Sequence, residues 1–295
     1  MSLPTLTFDI GGTKILCALV LNGQILEKKE EKTVKTKTAE DFVIQISKMG
    51  KSWAEKTESI SIATLGLVHQ GSWSAPTLEL DDGKNFPLAK KVQDSLEKEV
   101  TLVNDAQAAA WGEYCFGAGE GKDMLFVTVS TGVGGGVVFG GRLMQGKTGM
   151  AGHIGHIQID PHGLECTCGR KGCLQTYVSG EGIAFAAQPY YPMAVAKDVF
   201  EKASNGESWA KDILNTSASL LTTAISNSKS MFDIEVAVIG GSVGLADGYT
   251  DMLNKEMSKE DDLYKVEIKK AVLGKDAGLI GAGSKIFGEF KIDYQ

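Results

Sequence analysis

The sequence predicts an α/β protein built from two domains. Three observations predict it. Strands alternate with helices along the chain, the pattern of α/β layers. The 295 residues are about two domains' worth at roughly 150 residues each. A module of strand, glycine turn, strand and hairpin occurs twice, about 120 residues apart, as a repeat of architecture and not of sequence.

The elements follow in order. Residues 6–10 read as a buried strand ending in Gly11-Gly12, residues 15–21 as a second strand, and Asn22-Gly23 as a tight turn into a third, 24–32. Residues 38–56 carry Phe42, Ile46, Met49 and Trp53 at helical spacing. A short strand at 60–65 precedes a loop, 66–85, and Pro87 takes the first position of a helix over 87–96. Residues 101–103 form a strand with Asn104-Asp105 at its end, and Asp105 is placed to cap the alanine-rich helix 106–116. The glycine-rich stretch 117–123 marks the boundary between domains 1–117 and 118–279. Strand 124–129, glycine turn 130–136, strand 137–139, the turn Gly140-Gly141 and strand 142–144 then repeat the opening module. A long helix over 207–231 presents Trp209, Ile213, Leu220, Ala224 and Met231 on one face, strand 236–239 ends in Gly240-Gly241, and 276–287 reads as a closing helix.

Composition narrows the function. Apolar residues at 43% against 23% charged suffice to bury a large core. A net charge of −7 argues against a general nucleic-acid binder but not against phosphate ligands, which backbone amides can hold. No apolar run approaches the roughly 18 residues that span a bilayer, and residues 1–9 lack a basic segment followed by an apolar one, so neither membrane nor secretory signal is expected. Five cysteines make no disulfide framework and suit a reducing cytoplasm.

The chemistry concentrates in glycine turns, a cysteine cluster and one carboxylate. Asp9-Ile10-Gly11-Gly12-Thr13-Lys14 lies between two strands. Its glycines permit positive φ and close ligand approach, so amides can face phosphate oxygens, with a hydroxyl, an ammonium and an Asp9 carboxylate for magnesium. A plain hairpin turn is the alternative. Ser130-Thr131-Gly132-Val133-Gly134-Gly135-Gly136 and Gly240-Gly241 are two further turns after apolar strands. Together the three point to a nucleotide held between two domains. A dinucleotide fold would need such glycines to open a helix, whereas here they run into a β-like segment. Cys166, Cys168 and Cys173, with His153, His156 and His162 upstream, supply three thiolates and a histidine for a tetrahedral structural zinc; free buried cysteines or a redox site are the alternatives. Asp105 at a strand end reads equally as a general base for a hydroxyl or as a helix cap.

These residues resemble the ROK (repressor, open-reading-frame, kinase) family of sugar kinases over nearly the whole chain. The marks are the Asp9–Lys14 run, Asn104-Asp105-Ala-Gln-Ala-Ala-Ala-Trp, the 130–136 run, Gly152-His-Ile-Gly-His-Ile, the 166–173 cluster and Gly240-Gly-Ser-Val-Gly. The resemblance implies a two-domain actin-like ATPase (ribonuclease H-like) fold with a structural zinc loop, the C-terminal helix 280–295 completing the first domain. It implies ATP with Mg2+ and a structural Zn2+. Asp9, Gly11, Gly12, Thr13 and Lys14 would hold phosphates, with Thr131, Gly132, Val133, Gly134, Gly135 and Gly136 as the second loop, and Gly240 and Gly241 would lie against the adenosine. Asp105 would be the catalytic base, Asn104 would bond a neighbouring sugar hydroxyl, and His153 with the loop from Gly66 would face the sugar. His156 would bind zinc with Cys166, Cys168 and Cys173 and also contact the sugar. Gln175 stands where the family usually has Glu and would be a weakened sugar contact. The residues around His153, Asp160 and Val238 are similar to the N-acetylmannosamine kinase subgroup, so phosphorylation of that sugar is expected, with a glucokinase as the alternative. A homodimer in the cytoplasm follows by family analogy. A sugar-responsive repressor would need a helix-turn-helix ahead of Asp9, where the sequence leaves little room.

Overall fold

A computed structural model describes residues 3–284. In chain order the strands are β1 (Thr5–Ile10), β2 (Lys14–Leu21), β3 (Gln24–Lys32), β4 (Ile60–Thr64), β5 (Leu67–His69), β6 (Ser72–Ser74), β7 (Val100–Asn104), β8 (Met124–Val129), β9 (Val133–Phe139), β10 (Arg142–Met144), β11 (Val236–Gly240) and β12 (Glu267–Lys270). The helices are α1 (Glu40–Ala54), α2 (Leu88–Leu96), α3 (Asp105–Phe116), α4 (Gln175–Val178), α5 (Gly180–Ala187), α6 (Ala196–Ser204), α7 (Ser208–Phe232), α8 (Tyr249–Met257) and α9 (Ala277–Ala282). They fall into two compact units. The first holds the chain up to Phe116, Arg142–Ala151 and the chain from Lys275; the second holds Gly117–Gly141 and Gly152–Gly274.

In the first unit the sheet runs β3-β2-β1-β4-β7, with β1, β4 and β7 parallel and β2 and β3 antiparallel. Side chains alternate across it. Leu6, Phe8 and Ile10 join Phe42, Ile46 and Met49 of α1 in one core, while Leu16, Ala18 and Val20 of β2 pack with Leu279 of α9 in another. The parallel register sets Ile10, Thr64 and Asn104 side by side at the carboxyl ends of three strands. That edge of an open α/β sheet is where ligands bind.

In the second unit the strands run β9-β8-β11-β12, with β8, β11 and β12 parallel and β9 antiparallel to β8. The two modules also share their turns. Asn22 and Gly23 have φ of +49° and +77°, and Gly140 and Gly141 of +56° and +73°. Both are left-handed at the two central positions, the geometry that matches strand twist.

The structure departs from the sequence reading in several places. Residues 142–151 and 275–279, read as second-domain, group with the first unit. Gln107 in α3 donates its amide to the carbonyls of Gly149 (3.3 Å) and Ala151 (2.9 Å), and a Cβ on Gly281 of α9 would sit 1.8 Å from the Ala108 carbonyl oxygen. Residues 66–85 are not bare loop. They hold the β5–β6 hairpin around a fully buried Trp73, whose indole N–H donates to the Leu65 carbonyl at 2.9 Å. Pro87 caps α2 from outside and is not its first residue. The turn after β8 is shorter than 130–136, because β9 begins at Val133 and takes in Gly134, Gly135 and Gly136. In α7 the buried stripe is Ala210, Leu214, Ser217, Ala218, Leu221, Ala224 and Ile225, while Trp209, Ile213 and Leu220 lie at its margin and Met231 is exposed. The closing helix ends at Ala282; residues 285–295, which include most of the expected 280–295 helix, lie outside the described residues. Among the described residues no helix is long and apolar enough to cross a membrane.

Candidate active site

Asp9 lies near the carboxyl end of β1, and the hairpin from Gly11 to Lys14 closes with the Gly11 N–H donating to the Lys14 carbonyl at 3.0 Å. Thr33 holds this loop from β3: its hydroxyl donates to the Gly11 carbonyl at 2.8 Å and its N–H to the Thr13 carbonyl at 3.0 Å. Neither glycine has positive φ, contrary to the expectation. A Cβ on Gly12 would meet nothing within 4 Å, so openness above the backbone is what glycine provides there. Lys14 is engaged by Glu30, at 3.3 Å. Asp9 is pushed up to about 7, first by burial and then by the neighbouring Asp105 carboxylate, with the Lys14 ammonium opposing and Asp276 adding. Asp276 escapes sequence reasoning because it is distant in the chain; it precedes α9 and pairs with Lys28 at 2.6 Å.

At the end of β7 stand the adjacent candidates Asn104 and Asp105. The cap of α3 is Asn104: its side-chain oxygen accepts from the N–H groups of Ala106 (3.0 Å) and Gln107 (3.1 Å). That is the N-cap bond pattern. The Asn104 amide donates to the Gly66 carbonyl at 2.9 Å, so it fixes the start of the 66–75 loop. Gly66 has φ of +88°, and a Cβ there would stand 2.3 Å from the Ser74 carbonyl oxygen. Asp105 is left as the first helical residue, its carboxylate accepting one bond from the Ala106 N–H at 2.8 Å. Burial pushes its carboxyl above the usual range, partly offset by the Ala106 N–H and Asn104. A carboxylate of raised basicity suits proton abstraction.

In the second unit Thr131 and Gly132 are exposed after β8, with the Ser130 N–H donating to the Gly132 carbonyl at 2.9 Å. Val133, Gly135 and Gly136 are buried in β9. A Cβ on Gly135 would lie 2.7 Å from the Gly152 carbonyl oxygen and 2.8 Å from that of Phe126, so this glycine serves backbone packing. Gly241, at φ of +84°, is the one candidate nucleotide glycine with positive φ among the described residues. Its Cα faces the Val129 carbonyl, which a Cβ would approach to 2.3 Å. The Ser130 and Ser242 hydroxyls, 3.1 Å apart, bind the two glycine turns to each other, a link that no spacing rule reveals.

His156, Cys166, Cys168 and Cys173 bring four ligand atoms within 4.8 Å of one another. His156 Nδ1 lies 3.7 Å from Cys166 Sγ, and Cys168 Sγ 3.6 Å from Cys173 Sγ. A tetrahedral zinc with bonds of about 2.3 Å to sulfur and about 2.0 Å to nitrogen sets its ligand atoms about 3.5–3.8 Å apart, which these two separations match. Gly169 and Gly172, at φ of +86° and +64°, turn the chain between the cysteines. The Arg170 guanidinium donates to the His156 carbonyl at 3.1 Å, and burial together with Arg170 holds the imidazole below its usual range, in the neutral form a metal needs. His153 stacks on His156 with ring centroids 6.5 Å apart but is not in the cluster, and His162 is exposed and outside it. Gln175, expected at the sugar, donates its amide to Cys166 Sγ at 3.2 Å.

The ROK family model matches residues 5–286. The chain belongs to the ROK family. The N-acetylmannosamine kinase of Escherichia coli O157:H7 is 41% identical over 287 residues, 97% of this chain and 99% of that one. Among solved structures, the ROK hexokinase from Thermus thermophilus is 28% identical with a TM-score of 0.84, covering 95% of this chain and 96% of that one. The ROK family glucokinase from Streptomyces griseus in complex with glucose and AMPPNP is 31% identical with a TM-score of 0.79, covering 95% and 98%. The two α/β units are thus those of the ROK sugar kinases, an actin-like ATPase fold. In this ROK chain the expected base, the first glycine hairpin and the Gly66 loop come together in one unit, and the second glycine turns and the metal cluster in the other.

Proposed function

We propose that this ROK protein transfers the γ-phosphoryl group of ATP to the 6-hydroxyl of N-acetyl-D-mannosamine, giving N-acetylmannosamine 6-phosphate and ADP in amino-sugar or sialic acid catabolism. The observation that carries the reading is the 41% identity to an N-acetylmannosamine kinase over 97% of this chain and 99% of that one.

Asp105 takes the proton from the 6-hydroxyl as that oxygen attacks phosphorus. Two features support it in this role: a raised proton affinity, and the capping of α3 by Asn104, which leaves Asp105 sharing only the Ala106 N–H. Phosphoryl transfer asks the protein mainly for position and charge stabilisation. The amides of Gly12 and Thr13, and of Thr131 and Gly132, hold phosphate oxygens, Gly11 shapes the first turn through its own N–H bond to the Lys14 carbonyl, and Gly240 and Gly241 lie against the adenosine. Asp9 would hold the Mg2+, which would supply neutralisation of phosphate charge. Asn104 keeps its amide on Gly66 and so sets the sugar loop, while His153 and His156 recognise the sugar. His156, Cys166, Cys168 and Cys173 hold a structural zinc that fixes the loop bearing both histidines. The protein works as a cytoplasmic homodimer.

A glucokinase is the second reading, favoured by the 31% identity to the Streptomyces griseus glucokinase. A substrate panel with ATP and Mg2+ decides. The expected kcat/KM for N-acetylmannosamine is at least about tenfold above that for glucose, about 1.4 kcal/mol of transition-state discrimination. Equal or faster glucose turnover replaces this reading with the second.

A further inference from the structure

The Gln175 side chain occupies a position that the sugar reading does not explain. It opens α4, the single turn that follows the last cysteine. The turn is pinned on both sides: the Leu174 N–H donates to the Ile157 carbonyl at 2.9 Å, and Leu174 and Val178 are fully buried. So the backbone that carries Gln175 is held in place. Its Nε2 lies 3.2 Å from Cys166 Sγ, and its Oε1 lies 3.6 Å from the place a Cβ on Gly132 would take. The donor end therefore meets a metal ligand and the acceptor end faces the exposed glycine turn.

The chemistry of the donor set makes that orientation meaningful. Three thiolates and a neutral imidazole around a divalent ion leave a net negative charge on the sulfurs. An amide N–H relieves that charge and fixes the direction of a sulfur lone pair. A carboxylate of the same shape has only acceptors and adds a charge of the wrong sign. Partners that hold a ligand in this way typically change metal affinity about 10–100-fold when removed.

We infer that Gln175 is a positioning residue of the metal centre: its amide donates to the Cys166 thiolate and holds that ligand in place. The inference rests on the zinc reading above. α4 also leads directly into α5, whose first N–H, that of Gly180, donates to the Ser130 carbonyl at 2.7 Å. Gln175 thus stands between the metal loop and the turn that carries Thr131 and Gly132.

The test compares the full-length protein with Gln175→Glu and Gln175→Ala, first by zinc content and then by zinc transfer to a chromophoric chelator. The wild type is expected to hold one zinc per chain. Both variants are expected to yield it at least about tenfold more readily, and Glu is expected to be no better than Ala despite its matching shape. After exchange of zinc for Co2+, loss of the N–H bond should move the thiolate-to-cobalt charge-transfer band to lower energy in both variants. Wild-type affinity and an unmoved band in Gln175→Glu would overturn the inference and leave the zinc reading intact. A wild type without zinc would overturn both. Should Gln175→Ala fail to fold, the isosteric Gln175→Glu decides alone.

Discussion

The buried Asp9 makes a prediction that runs against the usual effect of altering a candidate site residue. Its carboxyl is pushed up from 3.8 to about 7, chiefly by burial and by Asp105. The folded chain therefore binds a proton more tightly at Asp9 than the unfolded chain does. Below about pH 4 both forms are protonated and no penalty exists; as pH rises to about 7 the unfolded chain ionises freely while the folded one resists, so stability falls across that window. The gap of about 3 pH units, at about 1.4 kcal/mol each, amounts to about 4 kcal/mol above neutrality in the ligand-free protein. Asp9→Asn keeps the shape and removes the charge. Recovering half of the penalty, about 2 kcal/mol, should raise the melting temperature by roughly 4–8 °C. Calorimetry of nucleotide- and Mg2+-free protein at about pH 5 and about pH 8.5 measures it, and the gain should be larger at the higher pH. Meanwhile Mg-ATP turnover should collapse, because the carboxylate proposed for Mg2+ is gone. An Asn variant that melts below the wild type at the higher pH, or that gains equally at both, would refute the electrostatic account.

Two further outcomes follow from the same edge of the sheet. Asp105→Asn should lower kcat at least about 100-fold, the low end for loss of a general base, while sugar binding survives and the melting temperature rises, because burial raises the Asp105 carboxyl as it does that of Asp9; near-normal kcat removes Asp105 from the mechanism. Gly66→Ala places a Cβ at φ of +88° and against the Ser74 carbonyl oxygen, so it should destabilise by about 1–3 kcal/mol and raise the sugar KM more than the ATP KM. Equal changes in both KM values would detach that loop from sugar recognition.

Much of this was legible where residue type alone constrains the backbone. Asn22-Gly23 and Gly140-Gly141 announce left-handed turns because few other residues accept them, and the cysteine spacing announces the cluster of candidate metal ligands. The β5 and β6 strands were not legible, since three residues each give no alternation to detect and Trp73 is buried by partners far along the chain. The α7 face was misread because its buried stripe includes Ser217, Ala218 and Ala224, small or polar residues, while the bulkier Trp209, Ile213 and Leu220 sit at the margin. At the site, sequence placed Asn104 and Asp105 together but could not divide the labour between them. That depends on which oxygen the Gln107 N–H reaches. The contact of the Gln175 amide with Cys166 was not legible for the same reason: a spacing specifies where a side chain starts, not where its amide ends.

The discontinuous first unit has a consequence for synthesis. Leu279 closes the core on one face of β2, and Gly281 and Gly283 of the same segment lie against α3, β1 and β2. These residues are translated after every part of the second unit. Domains generally fold as units while the chain emerges. On the ribosome, then, the amino-terminal sheet waits with the Leu16, Ala18 and Val20 face uncovered until the carboxyl-terminal segment arrives, and the unit begun first is the one completed last. A chain cut at the 117 boundary would lose α9 and expose that face for good.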